Sequence, residues 1–145
     1  MVVNLDRCIG CWACAVACKM KNGLPAGDWW LHVDTIGGDH RDVSAGEFPH
    51  QHRYYQPVID RCTFTAGQAE RGALPDCLKA CPTDVFTFGD VSDGESAVAR
   101  RAARPDATAA GVPPGGAFAV HYRPAHTQAR QRRSGYARSG NGGVG

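Results

Sequence analysis

Seven cysteines stand in two groups, Cys8-x2-Cys11-x2-Cys14-x3-Cys18 and Cys62-x14-Cys77-x3-Cys81-Pro82. Thiolate is a soft ligand suited to iron–sulfur clusters and zinc, and the 2-2-3 run has the spacing that wraps a cubane cluster. Three thiolates on one tight loop cap three irons, while the fourth iron faces away and needs a ligand from elsewhere. In paired loops the fourth cysteine of each run ligates the other cluster. That rule puts Cys8, Cys11 and Cys14 on one [4Fe–4S] cluster, closed by Cys81. It puts Cys62 and Cys77 with Cys18 on a second centre, one thiolate short.

The elements that must position these groups are short. Val2 to Leu5 predicts a strand ended by Asp6 and Arg7. The cysteine run then forms a tight loop, where Gly10 relieves backbone crowding and Ala13, Ala15 and Ala17 leave room beside the sulfides. Cys14 through Lys21 predicts a helix stopped by Asn22-Gly23 and Pro25. Asp28 to Val33 predicts an aromatic-rich strand covering one side of the site, and Arg53 to Ile59 a second strand. Residues 37–52 between them read as a polar, glycine-rich loop. Leu74-Pro75 and the Asp76 to Pro82 stretch predict a helical turn broken by proline, and Val85 to Asp90 a strand and turn. Ser96 to Arg104 predicts a surface helix, Gly111 to Gly116 an interruption, and Phe118 to Tyr122 a terminal strand.

The chain has 145 residues, 43% of them hydrophobic with many alanines, and 18 glycines and 9 prolines. That is little core material for one domain, and a bound metal centre can replace part of it. Without clusters the chain is expected to be poorly folded. The net charge of +2 comes without a dense basic patch or a nucleic-acid-binding module, so no nucleic-acid partner is expected. No stretch approaches the roughly 18 apolar residues of a membrane span, and the first residues lack the basic leader and apolar segment of a signal peptide. An odd cysteine count at 2-2-3 spacing argues against a secreted disulfide scaffold.

Residues 6–30, DRCIGCWACAVACKMKNGLPAGDWW, and 60–90, DRCTFTAGQAERGALPDCLKACPTDVFTFGD, resemble the iron–sulfur electron-transfer (beta) subunits of molybdopterin oxidoreductases, the dimethyl sulfoxide, polysulfide and thiosulfate reductase type. In such subunits the later block usually reads C-T-F-C, then G-x-x-P-x-C, then C-P-T-G-A. Cys62, Cys77 and Cys81 match ligand positions, Thr65 stands at the missing ligand position, and Asp84-Val85 replace Gly-Ala. Family members commonly hold four cubanes in two ferredoxin-like halves. With no cysteine between Cys18 and Cys62, this chain looks shortened by loss of the middle cluster pair. The resemblance implies a small ferredoxin-like α+β domain over residues 1–124, with short strands and helices and long irregular loops. Its cluster loops are 8–18 and 62–82, and an arginine- and glycine-rich tail over 125–145 is expected to be disordered.

At the second centre three outcomes stand open. A [3Fe–4S] cluster needs only Cys18, Cys62 and Cys77. An atypical [4Fe–4S] cluster would take water, hydroxide or the Thr65 oxygen on its fourth iron, though a neutral alcohol replaces thiolate poorly. The site can also stand empty. Lys19, Lys21 and Lys79 beside the ligand loops would favour the more negative reduced cluster, or act as solvated groups that aid docking.

Rival chemistries fit less well. His32, His40, His50 and His52 match no compact metal signature. Trp12, Trp29 and Trp30 read as shields of the cluster, and no nucleophile–base pair is spared by the ligand assignment. A structural zinc module can use four cysteines, but the dense run and the Cys-x3-Cys-Pro partner favour iron–sulfur. The resemblance therefore implies a one-electron carrier without catalytic residues, served by a molybdopterin catalytic subunit and a membrane-anchor subunit, with a free soluble ferredoxin as the alternative. Related subunits work at the cytoplasmic face or are exported bound to their catalytic partner.

Overall fold

The computed structural model describes residues 1–36 and 54–124; the expected 37–52 loop and 125–145 tail lie outside them. Among the described residues the chain is a small α+β, ferredoxin-like domain with two sheets. β1 (Val2–Asn4) runs antiparallel to β4 (Phe86–Thr87) and parallel to β6 (Val120–Arg123), and β6 pairs antiparallel with β5 (Thr108–Gly111). The order β4-β1-β6-β5 leaves Val2 and Val3 fully buried in the middle of the sheet. β-branched residues suit a strand buried on both faces. The strand ends one residue before the expected Leu5. Asn4 Oδ1 accepts from the Asp6 N–H at 3.3 Å, and Leu5–Arg7 turn as a 3-10 helix.

α1 (Ala13–Lys21) begins and ends close to expectation. Its alanines and unbranched lysines favour helix, Lys19 and Lys21 suit the negative end of its dipole, and Asn22 closes it by donating its N–H to the Cys18 carbonyl at 3.1 Å. Ala15 is fully buried, so at this position the small side chain lets the helix approach the sheet.

The second sheet is a hairpin of β2 (Leu31–Ile36) and β3 (Tyr54–Ile59), paired from Leu31↔Ile59 to Ile36↔Tyr54. Leu31 and Val33 alternate into the core, as a half-buried strand requires. Pro57 costs the ladder a donor, which a two-stranded edge tolerates. β2 starts later than the expected Asp28, because the tryptophans do other work. Trp29 packs edge-on against Trp12 at 5.3 Å. The Trp30 carbonyl accepts from the N–H groups of Asp60 and Arg61 at 2.9 and 3.1 Å, closing the hairpin base.

Among the described residues there are three more α-helices: α2 (Ala66–Glu70), α3 (Asp76–Lys79) and α4 (Ala97–Ala102). α4 is shorter than the expected Ser96 to Arg104; Ser96 Oγ caps it by accepting from the Ala99 N–H at 3.1 Å. α2, β5 and the 3-10 turn were not anticipated. The core joins β1, β4, β6 and β2 through Val3, Val85, Phe86, Val120, Leu31 and Val33, and Cys14 is a member of it.

Candidate metal centres

α1, the loop before it, the segment after β3, and α3 with the residues just past its end carry the cysteines to two neighbouring cavities. Cys8, Cys11, Cys14 and Cys81 line the first, with Ile9, Trp12, Val33, Pro57 and Phe86 as apolar walls. Cys18, Cys62 and Cys77 line the second, with Lys21, Asn22, Thr63, Gln68 and Asp76. Helical spacing explains the split: Cys14 and Cys18 lie four residues apart on α1, one turn along the axis, so successive cysteines face successive cavities. The two cavities measure about 10 and 60 Å³. The fit to clusters therefore rests on the donor set and on the N–H groups aimed at sulfur, and a bound cubane would hold the loops further apart.

The thiol electrostatics divide along the same lines. Burial pushes the Cys8 thiol up, with Cys81 and Cys11 adding repulsion. Burial, then Cys8, Cys81 and Cys11, pushes Cys14 up to about 12. Burial and Cys62 raise Cys18, and burial raises Cys62. Cys77 is pushed up to about 12 by burial first, then by Cys14, Cys62 and Cys18. Cys77, which lines the second cavity, thus feels Cys14 of the first. Buried, mutually repelling thiols hold their protons until a cation replaces them, so metal loading releases protons.

Several groups already point at sulfur. The Phe64 N–H donates to Cys62 Sγ at 3.3 Å, the Val85 N–H to Cys81 Sγ at 3.4 Å, and Asn22 Nδ2 to Cys18 Sγ at 3.6 Å. Such donors stabilise extra negative charge on a sulfur-ligated centre and tune its potential. These thiol and N–H sets fit iron–sulfur groups.

Two glycines make the loops possible. Gly10 has φ +70°, and a Cβ there would sit 2.6 Å from the Tyr55 ring. Gly115 has φ +77°, and its Cβ would sit 2.7 Å from the Cys62 carbonyl oxygen. Only the first was foreseen. The Pro114 carbonyl also accepts the Cys62 N–H at 2.9 Å, so the segment read as an interruption buttresses the second cavity. Asp84, at the place usually held by glycine, adopts φ +50°.

Thr65 does not line the three-thiol cavity. It heads α2 in a capping box with Gln68, whose Oε1 accepts the Thr65 N–H at 2.8 Å, and it borders a separate cavity walled by Phe64, Phe88 and Phe118. Trp12 and Trp29 do lie at the first cavity and against its wall, whereas Trp30 stacks under the Arg61 guanidinium at 4.7 Å. Lys19 bonds the carbonyls of Pro25 and Asp28, Lys21 borders the second cavity, and Lys79 pairs with Asp76. His32 lies between Asp34 and Asp60 at 3.4 and 3.1 Å; His40, His50 and His52 lie outside the described residues. Among the described residues no three His, Cys, Asp or Glu side chains converge on a single metal ion, and no helix is long and apolar enough to cross a membrane.

Known proteins are similar to the chain over part of its length. The model of the 4Fe-4S binding domain matches residues 1–21. A Halobacterium salinarum protein named as a dimethyl sulfoxide reductase iron–sulfur subunit is 25% identical over 186 aligned positions, covering 73% of this chain and 71% of that protein. A polysulfide reductase chain of Wolinella succinogenes is 33% identical over 100 positions, covering 66% and 37%. The arsenate respiratory reductase iron–sulfur subunit of Shewanella is 29% identical over 102 positions, covering 61% and 44%. The chain thus spans less than half the length of the last two.

Proposed function

From its kinship with the iron–sulfur subunits of dimethyl sulfoxide, polysulfide and arsenate reductases, which makes it an iron–sulfur electron-transfer protein, we propose that this chain is the non-catalytic relay of a larger redox complex. Cys8, Cys11, Cys14 and Cys81 hold one [4Fe–4S] cluster, and Cys18, Cys62 and Cys77 hold a second centre. The observation that carries the reading is the sorting of all seven cysteines onto two adjoining cavities, four and three.

When bound, the clusters supply one-electron exchange without proton transfer to a substrate. The protein's part is to hold and shield them. Ile9, Trp12 and Phe86 give the first cavity apolar walls, and the Phe64 and Val85 N–H groups bear on the charge of the ligating sulfurs. Ile9 at the first cavity, and Val16 and Met20 one turn apart on α1, stay exposed, apolar surface suited to cover by a catalytic partner. The resemblance supports a molybdopterin catalytic subunit in that role, with a membrane-anchor subunit as a further partner. A free ferredoxin is the second reading, since the matching 4Fe-4S binding domain by itself implies no partner subunit.

Purification under anaerobic conditions together with cofactor analysis tests the proposal. A brown protein retained with a molybdopterin subunit in a fixed ratio is expected. A monomer exchanging electrons on its own would turn the reading to the ferredoxin, and a colourless protein with stoichiometric zinc would overturn both.

A further inference from the structure

The three-thiol cavity is bordered by four side chains that carry oxygen: Asn22, Thr63, Gln68 and Asp76. Three are neutral and already engaged. Asn22 Nδ2 donates to the Cys18 carbonyl at 2.8 Å, and its Oδ1 accepts from Thr63 Oγ1 at 2.8 Å. Gln68 Oε1 takes the Thr65 N–H. Asp76 is different. It carries a carboxylate, adjoins Cys77 in the chain, and lines the cavity together with Cys18, Cys62 and Cys77. Its side-chain partner among the described residues is Lys79 at 3.2 Å, through Oδ1. Both groups of that pair are well exposed, so it is weak and readily exchanged.

We propose that Asp76, rather than Thr65, supplies the fourth protein ligand of the second centre, a carboxylate oxygen on the fourth iron of a [4Fe–4S] core held by Cys18, Cys62 and Cys77. The inference rests on reading that cavity as a cluster site. A carboxylate carries the same single negative charge as the missing thiolate, so the charge balance of a four-thiolate cubane is retained; a threonine hydroxyl provides neither the charge nor the position. Oxygen is a harder ligand than sulfur, which makes this iron the exchangeable one. Its uptake balances without an electron: a reduced [3Fe–4S]0 core plus one Fe2+ gives [4Fe–4S]2+.

The test compares the full chain with Asp76→Asn and Thr65→Ala, each reconstituted anaerobically. The three-iron form is produced by mild oxidation, reduced with dithionite and titrated with ferrous iron, following the loss of the low-field, parallel-mode electron paramagnetic resonance of the integer-spin [3Fe–4S]0 core, because reduction alone removes the signal of the oxidised three-iron core. The unsubstituted chain and Thr65→Ala take up the fourth iron alike, and Asp76→Asn needs at least about tenfold more iron. An unchanged first cluster and far-UV spectrum in Asp76→Asn show that the substitution has not unfolded the domain. Equal uptake by Asp76→Asn and the unsubstituted chain would overturn the Asp76 assignment alone, as would loss of uptake in Thr65→Ala. A chain that never yields a three-iron signal, with iron for one cubane only, would overturn the two-centre reading beneath it.

Discussion

Around Cys8, Cys11, Cys14 and Cys81 the walls are Ile9, Trp12, Val33, Pro57, Thr83, Val85 and Phe86; around Cys18, Cys62 and Cys77 they are Lys21, Asn22, Thr63, Phe64, Gln68, Pro75 and Asp76. Four thiols line a pocket whose other walls are apolar except for Thr83, and three line one where five polar side chains stand beside Phe64 and Pro75. A site with a complete thiolate set asks only that water be kept away. A site missing one thiolate needs groups that donate to sulfur or offer oxygen. The contrast also reaches the backbone: Gly10 gives way to a ring beside the first cavity, and Gly115 to a carbonyl beside the second.

The sharpest break in that comparison comes from removing one thiol of each set. Cys14 belongs to the hydrophobic core and interacts with thiols of both cavities. Cys14→Ala is expected to lose the first cluster and the cooperative unfolding of the domain together, measured by iron content and far-UV circular dichroism. Cys62→Ala is expected to lose only the irons of the second centre, leaving the first cubane's reduced spectrum intact. Equal damage from both would mean that the two cavities are not separable sites.

Next in size are the glycines. Gly115→Ala drives a Cβ into the fixed Cys62 carbonyl and is expected to cost about 2–3 kcal/mol, whereas Gly10→Ala meets a Tyr55 ring that can swing and costs about 1–2 kcal/mol. Denaturant unfolding gives the two values. Chelator-induced bleaching shows which centre each substitution loosens, the second for Gly115 and the first for Gly10. The Asp84 backbone is held at φ +50° just past Cys81, so Asp84→Gly should stabilise the domain by about 0.5–1 kcal/mol with iron content unchanged.

The smallest effect concerns Tyr122, whose hydroxyl donates to the Pro57 carbonyl at 2.7 Å behind the first cavity. Burial pushes its phenol up to about 12. The folded state thus binds this proton more tightly than the unfolded one, so the stabilisation is complete below pH 10 and is lost as pH rises through about 12. An ultraviolet titration should show one late-ionising tyrosine, absent from Tyr122→Phe, with the first centre loosening before the second.

How much of this was legible in the sequence follows from what each feature depends on. The cysteine run and its Cys-Pro partner declare their grouping through spacing, and α1, β3 and α3 fall where local chemistry places them. The start of β2 was misplaced, because the aromatic run Trp29-Trp30 reads as strand but is used for packing on Trp12 and for closing a hairpin base. α2 hid behind Gly67, though the capping pair Thr65 and Gln68 was there to be read. β5 is fully exposed and Ala-Gly rich, so no hydrophobic alternation announces it. The polar lining of the second cavity was out of reach, since Asn22, Gln68 and Asp76 meet only through tertiary contact.

Iron and sulfide determination combined with electron paramagnetic resonance on the anaerobic chain tests the central claim of two unequal centres most directly. The expected result is a reduced [4Fe–4S] signal together with a second centre that turns to a three-iron signal on mild oxidation, the latter removed by Cys62→Ala and retained in Cys81→Ala. Iron for one cubane, with no second paramagnet under any redox condition, would contradict it.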